Sequence, residues 1–228
     1  MPLISTFELL VKSIAPTDNF DKLPPDIAQN LKKVARRVVQ GYFLTIANTS
    51  NTVASLRLEF TATTPELNPQ DTVIILDILG KNEFHNLKEV TNQPKRFTFD
   101  FKIPAHDTAL VTLLPNLNNL DLLKGVKDLE TRGYVNISRL ALKGSTYNLL
   151  VTPEQRGTFL PNNFNDKVPD FDQIAYSLPT ASGGSFLSLK PLLLPEDILN
   201  AQLGDNSTST NDRQELLDLM FERLDKLE

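Results

Sequence analysis

The chain contains no cysteine and no tryptophan, and only two histidines and four tyrosines among its 228 residues. Without cysteine there can be no disulfide framework, no thiolate metal site and no cysteine nucleophile. His85 and His106 stand alone, neither with a second histidine at metal-ligand spacing, so no metal and no cofactor is expected. The missing tryptophan and scarce tyrosine remove the usual stacking platforms for sugars and bases. Long apolar runs are absent as well: no stretch approaches the roughly 20 uninterrupted apolar residues of a spanning helix, so no membrane span is expected. The opening Met1 to Glu8 has no basic residue and carries Glu8 within its apolar run, unlike a secretory signal, and a cytoplasmic location is expected. A net charge of −5 argues against broad attraction to nucleic acid or to an anionic membrane.

Several catalytic patterns are missing too. Asp166, Asp170 and Asp172 are close in sequence but lack the loop pattern of a calcium-binding hand. Ser182-Gly183-Gly184-Ser185 has no Gly-Lys-Ser/Thr after it and reads as a mobile hairpin rather than a phosphate loop. Ser145 and Ser182 are not framed as nucleophile elbows. No catalytic residue is assigned.

What the chain does have is strand periodicity. In Val53 to Thr63, Leu56, Leu58, Phe60 and Ala62 alternate with Arg57, Glu59, Thr61 and Thr63, the period of a strand with one wet face. Phe97, Phe99 and Phe101 alternate in the same way with Thr98, Asp100 and Lys102. Gly41 to Ala47, Thr72 to Leu79, Arg96 to Ile103, Ala109 to Leu114, Tyr134 to Leu140 and Tyr147 to Val151 read as further strands, with Gly157 to Leu160 as one more. Asn116 to Glu130 breaks the pattern and reads as a crossover or short helix capping one end. The strand 41–47, the polar turn Asn48-Thr49-Ser50-Asn51-Thr52 and the strand 53–63 resemble the opening of bacterial immunoglobulin-like β-sandwich domains. That resemblance implies an antiparallel immunoglobulin-like β-sandwich, here with short N-terminal and C-terminal helices, mainly β in class.

The expected organisation has five parts: an N-terminal arm and helix over 1–40, the β-sandwich over 41–151, a proline-punctuated wrapping extension over 152–203, a flexible tether over 204–211, and an amphipathic helix over 212–228. Within the first part, Ile27, Leu31, Val34, Ala35 and Val38 fall at helical spacing from Asp26, with Gly41 as a stop. A strand starting near Arg37 competes for the same residues, and the two can follow one another. Pro153, Pro161, Pro169, Pro179, Pro191 and Pro195 break up the extension, so long elements are not expected there.

Two features point to partners. In the terminal helix, Leu217, Met220, Leu224 and Leu227 share one face and Phe221 widens it, a surface expected to dock on a protein partner or a second copy, with docking on its own body as the alternative. Lys32, Lys33, Arg36 and Arg37 form a basic cluster on the polar sides of the N-terminal helix, which reads first as a solvated face and alternatively as an electrostatic contact for phosphate groups or for an acidic surface such as the terminal helix of another copy. The functional expectation is a non-catalytic structural or adaptor protein that assembles through the tethered helix. A ligand- or carbohydrate-binding β-sandwich module and an enzyme with a dispersed carboxylate site are the alternatives.

Overall fold

The computed structural model describes residues 1–15, 22–63, 66–161 and 171–191, without the side chains of Lys32 and Lys33. The chain divides into two compact units, Met1–Leu140 with Tyr147–Leu189, and Ala141–Thr146 with Lys190–Glu228. The first is mainly β: a curled, antiparallel twelve-stranded sheet with few helical turns. In the second, only 141–146 and 190–191 are described, and they carry no strand or helix. The terminal-helix residues Leu217, Met220, Phe221, Leu224 and Leu227 lie outside the described residues. No helix among the described residues is long and apolar enough to cross a membrane.

The sheet is organised around β2 (Arg37–Asn48). On one side, β10 (Tyr147–Phe159) runs along it from Val38 to Asn48. On the other side, two strands share its edge: β1 (Leu3–Ser13) pairs with Arg37 to Gln40, and β8 (Thr108–Pro115) pairs with Tyr42 to Ala47. The sheet therefore forks, one arm running β8-β4-β5 and the other β1-β9-β3-β7-β6. Here β3 is Ala54–Ala62, β4 Thr72–Ile78, β5 Lys81–His85, β6 Lys88–Val90, β7 Gln93–Ile103 and β9 Leu129–Arg139. Gly41 stands at the fork. A Cβ there would lie 2.9 Å from the Leu113 carbonyl oxygen, so the close approach of β8 needs glycine. The residue read as a helix stop is thus a strand residue.

Both arms supply one core. Tyr42, Leu44 and Ile46 of β2 and Ile74 and Val111 from the first arm join Leu56, Leu58, Phe60, Phe97 and Val135 of the second in one buried cluster. The alternations in β3 and β7 bury the apolar phase as expected, because both strands turn one side to this cluster; on the other side Glu59 of β3 is covered as well. The turn after β2 does not close a hairpin. It carries the chain from one arm to the other, since β3 pairs with β7 and β9 and not with β2. Buried Asn48 fastens this crossing: its Nδ2 donates to the carbonyls of Thr52 and Pro104, at 2.8 and 2.9 Å, and its Oδ1 accepts from the Ser50 N–H.

Three boundaries differ from the sequence expectation. Helix α1 (Pro25–Val34) ends before the basic pair, and β2 begins at Arg37, so the helical and strand readings are both realised in succession. β1 is an interior strand between β2 and β9 rather than a peripheral arm. β10 runs unbroken through Pro153, across the boundary expected at 151/152. Proline is tolerated there because its C=O accepts from Leu178 N–H at 2.9 Å, on the side away from β2. The N position of a strand residue points the same way as its C=O, so the missing donor leaves the β2 ladder intact.

Candidate functional site

Past Pro153, β10 stays paired with β2 and carries an overhanging strand on its outer edge. Its outer edge pairs first with β12 (Phe186–Leu189), along Tyr147 to Leu150, and then with β11 (Asp172–Ser177), along Glu154 to Phe159. All six residues of β11 are exposed. Around them Phe171, Ile174, Tyr176 and Phe186 form an apolar fringe exposed to between 37% and 58%. Among the described residues, no strand pairs with the outer edge of β11 or β12. The loop containing Ser182-Gly183-Gly184-Ser185 links these two strands, which lie end to end on one edge rather than as a hairpin. Gly183 supplies its positive φ of 77°, and the Thr180 and Ser182 hydroxyls donate to the Gly184 carbonyl.

A cleft of about 500 Å³ opens under this overhang. It exists because β1 holds β2 only over Leu10 to Ser13, so that Thr6, Phe7 and Glu8 face β10 across a gap. The Phe7 ring forms part of the floor, seated on Gly133, where a Cβ would lie 2.6 Å from the ring and 2.0 Å from the Thr61 carbonyl oxygen. Beneath it, Phe7 meets Phe60 edge-on at 5.7 Å, and Tyr42 meets Phe60 likewise at 6.4 Å. The Tyr42 hydroxyl bonds Ser5 Oγ at 2.9 Å, and burial pushes its pKa well above the usual tyrosine value, although the Ser5 bond pulls the other way.

The charged groups at the cleft wall are matched to one another. Glu8 accepts from Arg132 Nε at 2.8 Å and from Gln40 Nε2 at 3.2 Å; Arg132 also bonds Glu130, which Lys12 holds at 2.5 Å. The bond from Lys12 is the main reason that the Glu130 carboxyl titrates below its ordinary range. Gln155 is different. It is 2% exposed and lines the cleft, and its covered Oε1 has no hydrogen-bond partner.

The basic cluster read from the sequence is dispersed. Arg36 lies over the Phe159 ring, donates to the Leu160 carbonyl at 3.1 Å and pairs with Asp172. Arg37 donates to the carbonyls of Leu122, Val11 and Lys127 at 2.9, 2.9 and 2.5 Å, and to Asp128 at 2.6 Å. Both guanidiniums are internal fastenings: Arg36 secures the end of β10, and Arg37 secures the crossover. That crossover contains helix α2 (Leu120–Leu123), with Leu122 buried. It is also held by buried Asp71, which accepts from Lys127, Asn68 and Asn119 at 2.5, 3.1 and 3.3 Å. Lys32 and Lys33 sit on α1, with side chains outside the description.

Among the described residues, no group of three His, Cys, Asp or Glu side chains gathers as metal ligands would. His106 sits in the turn between β7 and β8 and bonds Asn51 at 2.8 Å; His85 packs on Phe99 with ring centres 5.2 Å apart. Asp166 and Asp170 lie outside the described residues.

No family model matches the chain, and no curated protein matches it. Among solved structures, one described as "AvmM Catalyzes Macrocyclization in Alchivemycin A Biosynthesis" aligns with 62% of this chain and 79% of that chain, at 5% identity and a TM-score of 0.18. A superposition that loose carries no argument about function.

Proposed function

We propose that this chain is a non-catalytic assembly module that joins a second copy of itself by strand addition at β11, with the terminal helix 212–228 as a further contact. The observation that carries the reading is the contrast among the open edges of the sheet. β5 carries Lys81 and Glu83, and β6 is three residues long and carries Lys88 and Glu89. Short and charged edges of this kind resist pairing with other chains. β11 has one charge, Asp172, and Arg36 neutralises it. An edge with that composition invites another strand, whose main-chain hydrogen bonds supply affinity while Ile174 and Tyr176 supply apolar contact. Two copies of β11 are antiparallel when related by a two-fold axis, which makes the contact self-complementary. The fork at β2, with two arms over a common core, supports the immunoglobulin-like sandwich reading in its broad sense.

The test is the solution mass of the full chain by light scattering. A mass above the 25.5 kDa monomer is expected, falling to the monomer in Ile174→Lys, which places a charge on the pairing edge. A monomer at all concentrations would defeat the reading. So would an oligomer that Ile174→Lys leaves intact but Leu217→Asp with Leu224→Asp dissolves, because the helix alone would then be the contact.

A further inference from the structure

The geometry points to a second site, which shares Tyr176 with the β11 edge: we propose that the cleft under the overhang binds a short, neutral carbohydrate. The strongest sign is Gln155. A buried carbonyl oxygen left without a donor costs about 1–3 kcal/mol, and folded proteins seldom leave one so. This one belongs to a residue that lines an open cleft, and although the oxygen itself is covered, a rotation of the Gln155 side chain would bring its amide to a ligand hydroxyl.

Charge then selects the ligand. Of the chain of ion pairs Lys12–Glu130–Arg132–Glu8, Arg132 and Glu8 line the cleft, one cation and one anion, so the wall offers strong donors and acceptors but no net charge to attract an ion. A carboxylate oxygen and a guanidinium side by side suit the adjacent hydroxyls of a sugar, which donate to one and accept from the other. Beside them are the hydroxyls of Thr6 and Thr63.

The rim supplies apolar surface. Tyr134 of β9 and Tyr176 of β11 both line the cleft, half of the four tyrosines in the chain. A sugar ring presents C–H groups on its faces and hydroxyls at its periphery, and a tyrosine accommodates both with its ring and its hydroxyl. The volume falls within the range of small-molecule sites. Composition alone offers little prospect of such recognition, because tyrosine is scarce and tryptophan absent. Folding compensates by bringing two tyrosines to one place, from positions 134 and 176.

The experiment is titration of the full chain with a panel of neutral oligosaccharides of glucose, mannose, galactose and N-acetylglucosamine, followed by NMR and calorimetry. At least one should bind, and Gln155→Leu and Tyr176→Ala should each weaken that binding by about tenfold or more. Gln155→Leu fills nearly the same volume without the unpaired oxygen, so its melting temperature without sugar should equal or exceed that of the wild type. Tyr176→Ala changes an exposed side chain and tests the site even if the first variant folds poorly. If no sugar in the panel binds, or if binding survives both substitutions, the proposal is wrong. Gln155 belongs to β10 and not to the β11 edge, so the Gln155→Leu result is read apart from whether Ile174→Lys alters the oligomer.

Discussion

β10 has a neighbour on each side, and the two could hardly differ more. Gln155 lies opposite Tyr42 of β2 and, across its other edge, opposite Tyr176 of β11. Tyr42 is fully buried, whereas Tyr176 is 43% exposed. Both are strand tyrosines beside the same residue, so neither propensity nor alternation separates them. What separates them is the second layer: β2 faces the other arm of the sheet, while β11 hangs beyond the point where β1 has turned away. Strand formation and burial are distinct events here, and only the first is a property of the local sequence.

Substitutions on either side of β10 sharpen that contrast. Leu44→Ala in β2 removes a fully buried side chain from the common core and should cost about 3 kcal/mol, whereas Ile174→Ala in β11 should cost under about 1 kcal/mol. Denaturant midpoints of the two variants check this. Equal losses at concentrations where the chain is monomeric would mean that β11 is covered by its own chain, and would break the comparison. The next largest effect is expected at Arg37, where β2 is fastened to the crossover. Arg37→Ala leaves the Leu122 and Val11 carbonyls without that donor and should lower stability by about 2 kcal/mol. Arg37→Lys should restore only part of this, because one ammonium cannot reproduce the spread of a guanidinium.

The same contrast explains what was legible in the sequence. β3 and β7 were readable because each keeps one apolar and one polar face, and the fold uses each face as its pattern says. β1 was harder to read, since Leu9, Leu10 and Val11 are all buried, and a strand enclosed on both sides loses its alternation. β10 was read as two pieces because Pro153 signals a break unless one knows which way its nitrogen points. That misreading hid Gln155. Continuing the inward phase of Tyr147, Leu149 and Val151 through Pro153 places Gln155 in the interior, whereas its neighbours Glu154 and Arg156 make it look like surface. Arg36 and Arg37 look like a basic helix face in the sequence because their carbonyl partners come from distant segments and follow no local pattern; Val11 lies 26 residues away and Leu122 lies 85. The cleft had no local signature at all, since β1, β9, β10 and β11 each contribute to it.

The smallest effect belongs to Tyr42 itself, and it reads the burial on the β2 side directly. The folded chain holds this phenol above its ordinary pKa, so as pH rises through about 10 the unfolded chain releases the proton while the folded chain retains it. The unfolded state then binds fewer protons, and stability falls with increasing pH. The contribution is fully present below about pH 10 and is lost at up to about 1.4 kcal/mol per pH unit above it. Tyr42→Phe removes that slope and also the hydroxyl bond to Ser5, which should cost about 1 kcal/mol at neutral pH. The deficit of the variant relative to wild type should therefore shrink between about pH 9 and about pH 11, measured by denaturant unfolding at each pH. A deficit that stays constant over that interval would mean that the Tyr42 hydroxyl reaches solvent, and that β2 at the fork is as open as β11.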